Sequence, residues 1–280
     1  MKNLVLILAA AMFLASCNSG NSDKKSGNND SENVSITAAG ATFPLPFYNL
    51  AIKNYATKTG ISVTYGGVGS GGGIRSLKDR VVDFGATDAY LDEAQEAEMP
   101  AEIVHIPTCI GAVVIAYNLP GVEKLMLSNE NLQDIFLGKI TKWNDSRIKA
   151  TNPGVSLPDL GVTVVQRSDG SGTTYIFSDF MSKISPEWES KVGRGKALLW
   201  PAGIGAKGNP GVAGTIKQTE GAVGYIGSEF AFAQKIPYAM IENSAGNYVL
   251  PTLESISAAA SGDVPASTKL MLTCSSDPEA

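Results

Sequence analysis

Along this chain, stretches of strand-like and helix-like hydrophobic patterning follow one another. Short β-branched or apolar runs at Ile61 to Tyr65, Val81 to Ala86, Ile110 to Tyr117 and Val162 to Val165 have the length and composition of strands. Between them lie segments with a helical period. From Phe47 to Thr59, the residues Phe47, Leu50, Ala51 and Tyr55 fall at i, i+3, i+4 and i+8, which predicts a helix with that face inward. Pro44 and Pro46 stand near its start and Gly60 follows its end. A second helix is expected after Ser128, with Leu132, Ile135 and Phe136 inward and Gly138 as its stop. A third follows Gly172, where Ile176, Phe177, Phe180 and Met181 share one face. Strands alternating with helices predict an α/β architecture. No internal repeat is visible, and the acidic stretch Asp92 to Glu98 reads as a solvated helix face.

The first residues follow a different pattern. Met1-Lys2-Asn3 precedes an apolar run from Leu4 to Leu14, too short for a bilayer span of about 20 residues, so residues 1–16 read as a signal peptide. It ends Leu14-Ala15-Ser16-Cys17, which resembles a bacterial lipobox and makes Cys17 the expected point of lipid attachment. The following residues, to Asn33, are almost wholly Asn, Ser, Gly, Asp, Lys and Glu, the composition of a flexible tether over 17–33. The remaining 247 or so residues exceed what one core comfortably serves, which predicts two lobes.

Composition narrows the function. The 280 residues carry 22 Lys+Arg against 27 Asp+Glu, a net charge of −5, so the charge balance argues against nucleic acid or an acidic membrane surface as partner. With 44% hydrophobic and 18% charged residues, the chain can bury a core. Its single histidine, His105, leaves little room for zinc sites or Ser-His-Asp relays. His105 lies in the apolar, strand-like run from Glu102 to Pro107 and reads as structural rather than catalytic. No cofactor or metal is expected. Of the three cysteines, Cys17 is assigned to lipid; export permits a Cys109–Cys274 disulfide, but the spacing does not require one, and both read as free thiols.

Glycine, at 30 of 280 residues, is concentrated in segments rich in hydroxyl side chains. Four stand out: Ala39-Gly40-Ala41-Thr42-Phe43-Pro44, the run from Gly66 to Gly73, Asp83-Phe84-Gly85-Ala86-Thr87-Asp88, and Arg167-Ser168-Asp169-Gly170-Ser171-Gly172-Thr173. Three of the four precede a predicted helix, whose first N–H groups and dipole would favour a small anion. Each segment alone reads equally as an N-cap or a turn; their joint occurrence favours the anion.

Several motif matches fail on context. Gly67-Val68-Gly69-Ser70-Gly71-Gly72 satisfies G-x-G-x-x-G, yet it lies mid-chain and the next acidic candidate, Asp88, falls inside another hydroxyl-rich turn. Asp83-Phe84-Gly85 has no accompanying kinase motif. Val68 and Asp169 stand where a nucleophile elbow around Ser70 or Ser171 needs glycine, and Gly195-Lys196 is followed by Ala197, so it is no P-loop.

These residues resemble the phosphate-specific substrate-binding proteins that feed a phosphate ABC transporter. The resemblance runs through Gly40 to Pro44, Gly69-Ser70, Asp83 to Asp88, Phe136 to Trp143, Arg167 to Thr173, Trp200-Pro201, Gly205 to Asn209 and Gly221 to Tyr225. It implies two α/β lobes of the type II periplasmic-binding-protein fold that close by a hinge over one phosphate, here 34–117 and 118–280. It further implies that Thr42 donates by its hydroxyl, Phe43 by its backbone N–H and Ser70 from the same lobe. From the other lobe Arg167 supplies a charge-assisted contact, Ser171, Gly172 and Thr173 supply hydroxyls and N–H groups, and Asp169 holds the guanidinium. Asp88, a carboxylate facing an anion, makes sense only if the ligand brings a proton, which phosphate has and sulfate lacks. The family continues beyond Leu272 to Ala280 with an apolar strand and a helix that return to the first lobe, so that lobe is expected to be incomplete here.

The function implied is extracytoplasmic capture of inorganic phosphate by a lipid-anchored monomer, with delivery to permease subunits and no catalysis. A surface anion sensor or adhesin is the alternative with the same fold. A phosphoesterase using Asp88 or Ser171 is disfavoured by the lack of a metal cluster or a convincing base.

Overall fold

The computed structural model describes residues 34–260 and Lys269. The expected signal peptide, Cys17, the tether and the chain end with Cys274 lie outside the described residues. The chain enters a β-α-β-α-β series of β1 (Ser35–Gly40), α1 (Leu45–Thr59), β2 (Ser62–Gly67), α2 (Ser70–Lys78) and β3 (Phe84–Ala86). Its strands pair in the order β2-β1-β3, all parallel. After α3 (Glu93–Ala97), a stretch without helix or strand leads to β4 (Val113–Tyr117), β5 (Met126–Leu127), α4 (Asn129–Phe136) and α5 (Ser146–Thr151). There follow β6 (Thr163–Arg167), α6 (Gly172–Ile184), α7 (Pro186–Lys191), β7 (Ile204–Ala206), α8 (Gly208–Gln218) and β8 (Ala222–Gly227). The described chain closes with α9 (Ser228–Gln234), β9 (Met240–Glu242), β10 (Tyr248–Val249) and α10 (Leu253–Ala259).

The second sheet has the order β4-β8-β6-β7, parallel except for β4, and a small third sheet joins β10, β9 and β5. The boundary expected at 117 falls at the end of β4, which pairs with β8 from Val113↔Gly227 to Tyr117↔Val223; by strand pairing it goes with the second sheet. All of β8 is buried, as suits a central strand covered on both faces. On one face an aromatic group forms the core: Phe177 stacks on Tyr225 with centroids 4.4 Å apart, and Phe136, Trp188 and Trp200 surround them. On the other, Val165, Val212, Ala213 and Ile216 pack with Ile226.

The helices after Ser128 and Gly172 start where the sequence predicts. Ser128 caps α4 by accepting the Asn131 N–H at 3.1 Å. The phase of α1 differs from expectation. Leu45, Tyr48, Ile52 and Ala56 form its partly buried stripe, shared with Ala51, whereas Phe47, Leu50 and Tyr55 are exposed. The helix carries apolar residues on both sides, and it is the contact of Leu45 and Tyr48 with β2 that selects the inner one. The run Val81 to Ala86 gives a strand only over β3, because Arg80 adopts φ 56° and Asp83 turns back to accept from Thr37. Around His105 the strand-like pattern forms no strand, and Val104 and Ile106 face solvent. The stretch Asp92 to Glu98 contains α3, opened by a capping box between Asp92 and Gln95. Among the described residues no helix is long and apolar enough to cross a membrane.

Candidate functional site

Residues that follow the C-terminal ends of β1, β3 and β6 meet through hydrogen bonds, and such strand ends are the usual place for a ligand in an open parallel sheet. Thr42 and Phe43 lie between β1 and α1, Ser70 opens α2, and Asp88 follows β3. Arg167 closes β6, Ser171 caps α6 by accepting the Thr174 N–H at 3.0 Å, and Gly172 and Thr173 begin that helix. The two groups meet directly. The Gly172 N–H donates to Ser70 Oγ at 3.1 Å, and Thr173 Oγ1 donates to Asp88 Oδ2 at 3.2 Å. Thr42 Oγ1 accepts from the Asn209 N–H and Nδ2 at 3.0 and 3.1 Å. Thus Thr42, Ser70, Asp88, Arg167, Gly172 and Thr173 share one hydrogen-bonded cluster. Phe43 adjoins it, its ring lying against Gly227 and Gly111. The Ser171 side chain is turned to its capping role, and its N–H donates to the Lys196 carbonyl at 2.8 Å.

Two approaches depend on glycine. Gly69 has φ +87°, and a Cβ there would stand 2.2 Å from Asp169 Oδ2. A Cβ at Gly172 would stand 2.6 Å from the Asp88 Cβ. Only bare backbone lets the segments come so close.

The charges are held by short contacts. Asp169 grips Arg167 with both oxygens, accepting from Nε at 2.8 Å and Nη2 at 2.6 Å. The Arg167 side chain is 1% exposed and turns its other terminal nitrogen, Nη1, to Thr173 Oγ1 at 3.4 Å. Burial pushes the Asp169 carboxyl up, but the Arg167 hydrogen bonds and the Gly208 N–H outweigh it and hold the group below its ordinary value. Asp88 behaves oppositely: burial pushes it up to about 6, against the lowering influence of Arg167, Thr173 and Ser70. The arrangement offers converging donors, one guanidinium and one carboxylate that holds a proton more readily than usual.

The PBP superfamily domain matches residues 22–272 of the chain. The phosphate-binding protein PstS of Xylella fastidiosa is 41% identical over 271 residues, covering 92% of this chain and 74% of that one. The chain belongs to the PstS phosphate-binding protein family. The PstS protein of the archaeon Methanocaldococcus jannaschii is 39% identical over 278 residues, covering 93% of this chain and 72% of that one. Among solved structures, a high-affinity periplasmic phosphate-binding protein with bound phosphate matches with a TM-score of 0.64 at 22% identity, over 83% of this chain and 68% of that one. An ABC-type phosphate transport receptor from Vibrio cholerae matches at 0.50 and 22% identity, over 80% and 81% of the two chains. These structures share the α/β binding-protein fold, as the alternation of strands and helices implies. The motifs from Gly40 to Pro44 onward therefore point to the family that whole-chain identity gives.

Some residues of this cluster escape the sequence reading. Asn209 is fully buried at the start of α8 and touches Thr42, Thr173 and the Gly227 N–H. Its only local signal is an amide between Gly208 and Pro210 at a helix start. Tyr225 accepts the Arg167 N–H at 3.1 Å and pairs with Thr174 Oγ1 at 2.7 Å, so the aromatic core reaches the site through one hydroxyl. Lys196 reaches across to Gln95 Oε1 at 3.4 Å. His105 ties its own segment to the residues before α3, its Nε2 accepting the Leu91 N–H at 3.1 Å. Cys109 is a free, exposed thiol. Among the described residues no cluster suited to a metal is present.

Proposed function

We propose that this chain captures inorganic phosphate outside the cytoplasmic membrane, between a lobe built on the first sheet and a lobe built on the second, and delivers it to an ABC permease. The observation that carries the reading is the meeting of Asp88 and the Ser70 hydroxyl with Arg167, Gly172 and Thr173 in one cluster. In this reading Thr42, Ser70, Ser171 and Thr173 donate by hydroxyl, Phe43 and Gly172 by backbone N–H, and Arg167 by its guanidinium. Asp169 keeps that guanidinium in place. Hydrogen bonds to a charged group contribute about 1.5 to 3 kcal/mol each. A handful offsets the ordering cost and reaches micromolar affinity, near −8 kcal/mol.

Asp88 gives selectivity. Phosphate near neutral pH keeps a hydrogen that the carboxylate accepts, whereas sulfate leaves it facing an anion with nothing between. A site built for a hydrogen bond discriminates by about 10⁴ against a ligand that lacks it. Titration calorimetry of the exported form is expected to show phosphate and arsenate binding alike and sulfate far more weakly. Asp88→Asn narrows the phosphate-to-sulfate ratio by at least about 100-fold on the same grounds, and an unchanged ratio rejects the proton-reading role. The anchoring that goes with this role is a lipid on Cys17 after removal of residues 1–16, with the monomer as the working unit and no reaction catalysed.

A further inference from the structure

A hydroxyl group can donate one hydrogen and accept at two lone pairs, so a hydroxyl whose acceptor positions are filled by fixed N–H groups has only its donor left. Three hydroxyls of the cluster are in that state, and two of them, Thr173 and Ser70, turn that one hydrogen to Asp88 Oδ2 at 3.2 and 3.5 Å. Thr42 Oγ1 accepts from the Asn209 N–H at 3.0 Å and from Asn209 Nδ2 at 3.1 Å. Thr173 Oγ1 accepts from Asn209 Nδ2 at 3.1 Å and from Arg167 Nη1 at 3.4 Å. Ser70 Oγ accepts from the Gly172 N–H at 3.1 Å and the Asp88 N–H at 3.3 Å. Asn209 supplies three of these six contacts. Its carbonyl accepts the Gly227 N–H at 3.0 Å, which fixes which end of the amide carries the hydrogens. The residue is 0% exposed, so its contacts are shielded from competing solvent.

We propose that Asn209 sets hydroxyl direction in this site: by filling both lone pairs of Thr42 and, together with Arg167 Nη1, those of Thr173, it commits both groups to donate, Thr173 to Asp88 as here or to an oxyanion that takes its place, which fits the site to an oxyanion and disfavours ligands that need acceptors. Asn209 is thereby a positioning residue that acts through two hydroxyls. The inference rests on the phosphate reading and adds to it a reason why donors prevail in a site made largely of groups that could donate or accept.

The test is a double-mutant cycle read by calorimetric titration with inorganic phosphate, with thermal midpoints recorded for every variant. Asn209→Ala is expected to weaken phosphate binding by about 30-fold, the loss of one to two well-directed bonds to a charged ligand. In a Thr42→Val, Thr173→Val background the same substitution costs less than about threefold, because the hydroxyls it directs are gone. An equal cost in both backgrounds overturns the proposal, since it means that Asn209 acts by some other route, and so does full wild-type affinity in Asn209→Ala. If Asn209→Ala does not fold, Asn209→Ser takes its place in the cycle, with the same coupling expected and its absence equally decisive. Failure of the wild-type chain to bind phosphate strikes the phosphate reading itself, whereas wild-type binding with additive variants strikes only the role of Asn209.

Discussion

Asp88 faces two opposing influences, and their balance fixes how the protein responds to pH. Burial raises its carboxyl, Arg167, Thr173 and Ser70 offset only part of that rise, and the net value moves from 3.8 to about 6. Between about pH 4 and 6 the folded chain therefore holds more protons at this position than the unfolded one. Stability contributed by Asp88 is full below about pH 4, falls as pH rises through the window, and is lost above about 6, a total of roughly 3 kcal/mol. Asp169 and Asp83, whose carboxyls are held below their ordinary values, push the other way, since their stabilisation is lost on acidification. The informative quantity is thus the difference between wild type and Asp88→Asn. Differential scanning calorimetry without phosphate is expected to show the wild-type midpoint losing several degrees relative to the variant between pH 4.5 and 7.5. Parallel profiles would show that burial of the Asp88 carboxylate carries no such cost. At this scale the sequence was informative about Asp88, Arg167 and Thr173 because their segments are distinctive. It assigned no role to Asn209, the last residue of one matching segment, because its partners lie 167 and 36 positions away.

Elements bring these residues together through their starts, and there bare backbone is decisive. Gly172 opens α6 against Asp88, which follows β3, and Ser70, which opens α2. A methyl group there would stand 2.6 Å from both the Asp88 Cβ and Ser70 Oγ, so the two segments would have to part. Gly172→Ala is expected to weaken phosphate binding by at least about 100-fold, because one misplaced ångström disrupts several bonds at once. Its thermal midpoint stays within a few degrees of wild type, since the clash lies between segments and not inside either core. Calorimetric titration and a melting curve on one sample check both statements, and undiminished affinity would show that binding does not need this approach. How readable an element was depended on how one-sided its apolar face is. In α4 and α6 the face is single, and Leu132, Ile135, Phe177 and Met181 are buried as their spacing predicts. In α1 apolar residues occupy two faces, and the periodicity could not say that Leu45 and Tyr48 would face inward and Leu50 outward.

Across the whole molecule, burial is unevenly shared between the sheets. The largest fully buried side chains of the described residues, from Trp143 and Trp188 to Tyr225 and Phe136, all lie beyond residue 112, around the second and third sheets. Among the described residues before Glu93, the buried apolar ones are Ala38, Ala39, Ala41, Phe43, Ala86, Ala89 and Leu91, mostly too small to contribute much. Length leads to an expectation of two lobes but carries no sign of this imbalance, nor that β4 returns antiparallel to β8, because both are set by contacts distant in sequence. Local opening follows local burial, so the first sheet should open more easily than the second. Hydrogen exchange without phosphate is expected to be at least about 100-fold faster in β1 and β2 than in β6 and β8, a gap of about 3 kcal/mol in opening free energy. On the proposed reading saturating phosphate binds only the form in which both sheets present their donors, so it is expected to slow the first sheet more than the second. The slowing should reach β1 through Thr42 and α2 through Ser70, while the middle of α1, which has no residue in the cluster, gains less. Equal protection of the two sheets before phosphate is added, or equal slowing after it, would contradict an account in which the anion couples a loosely packed half of the molecule to a firmly packed one.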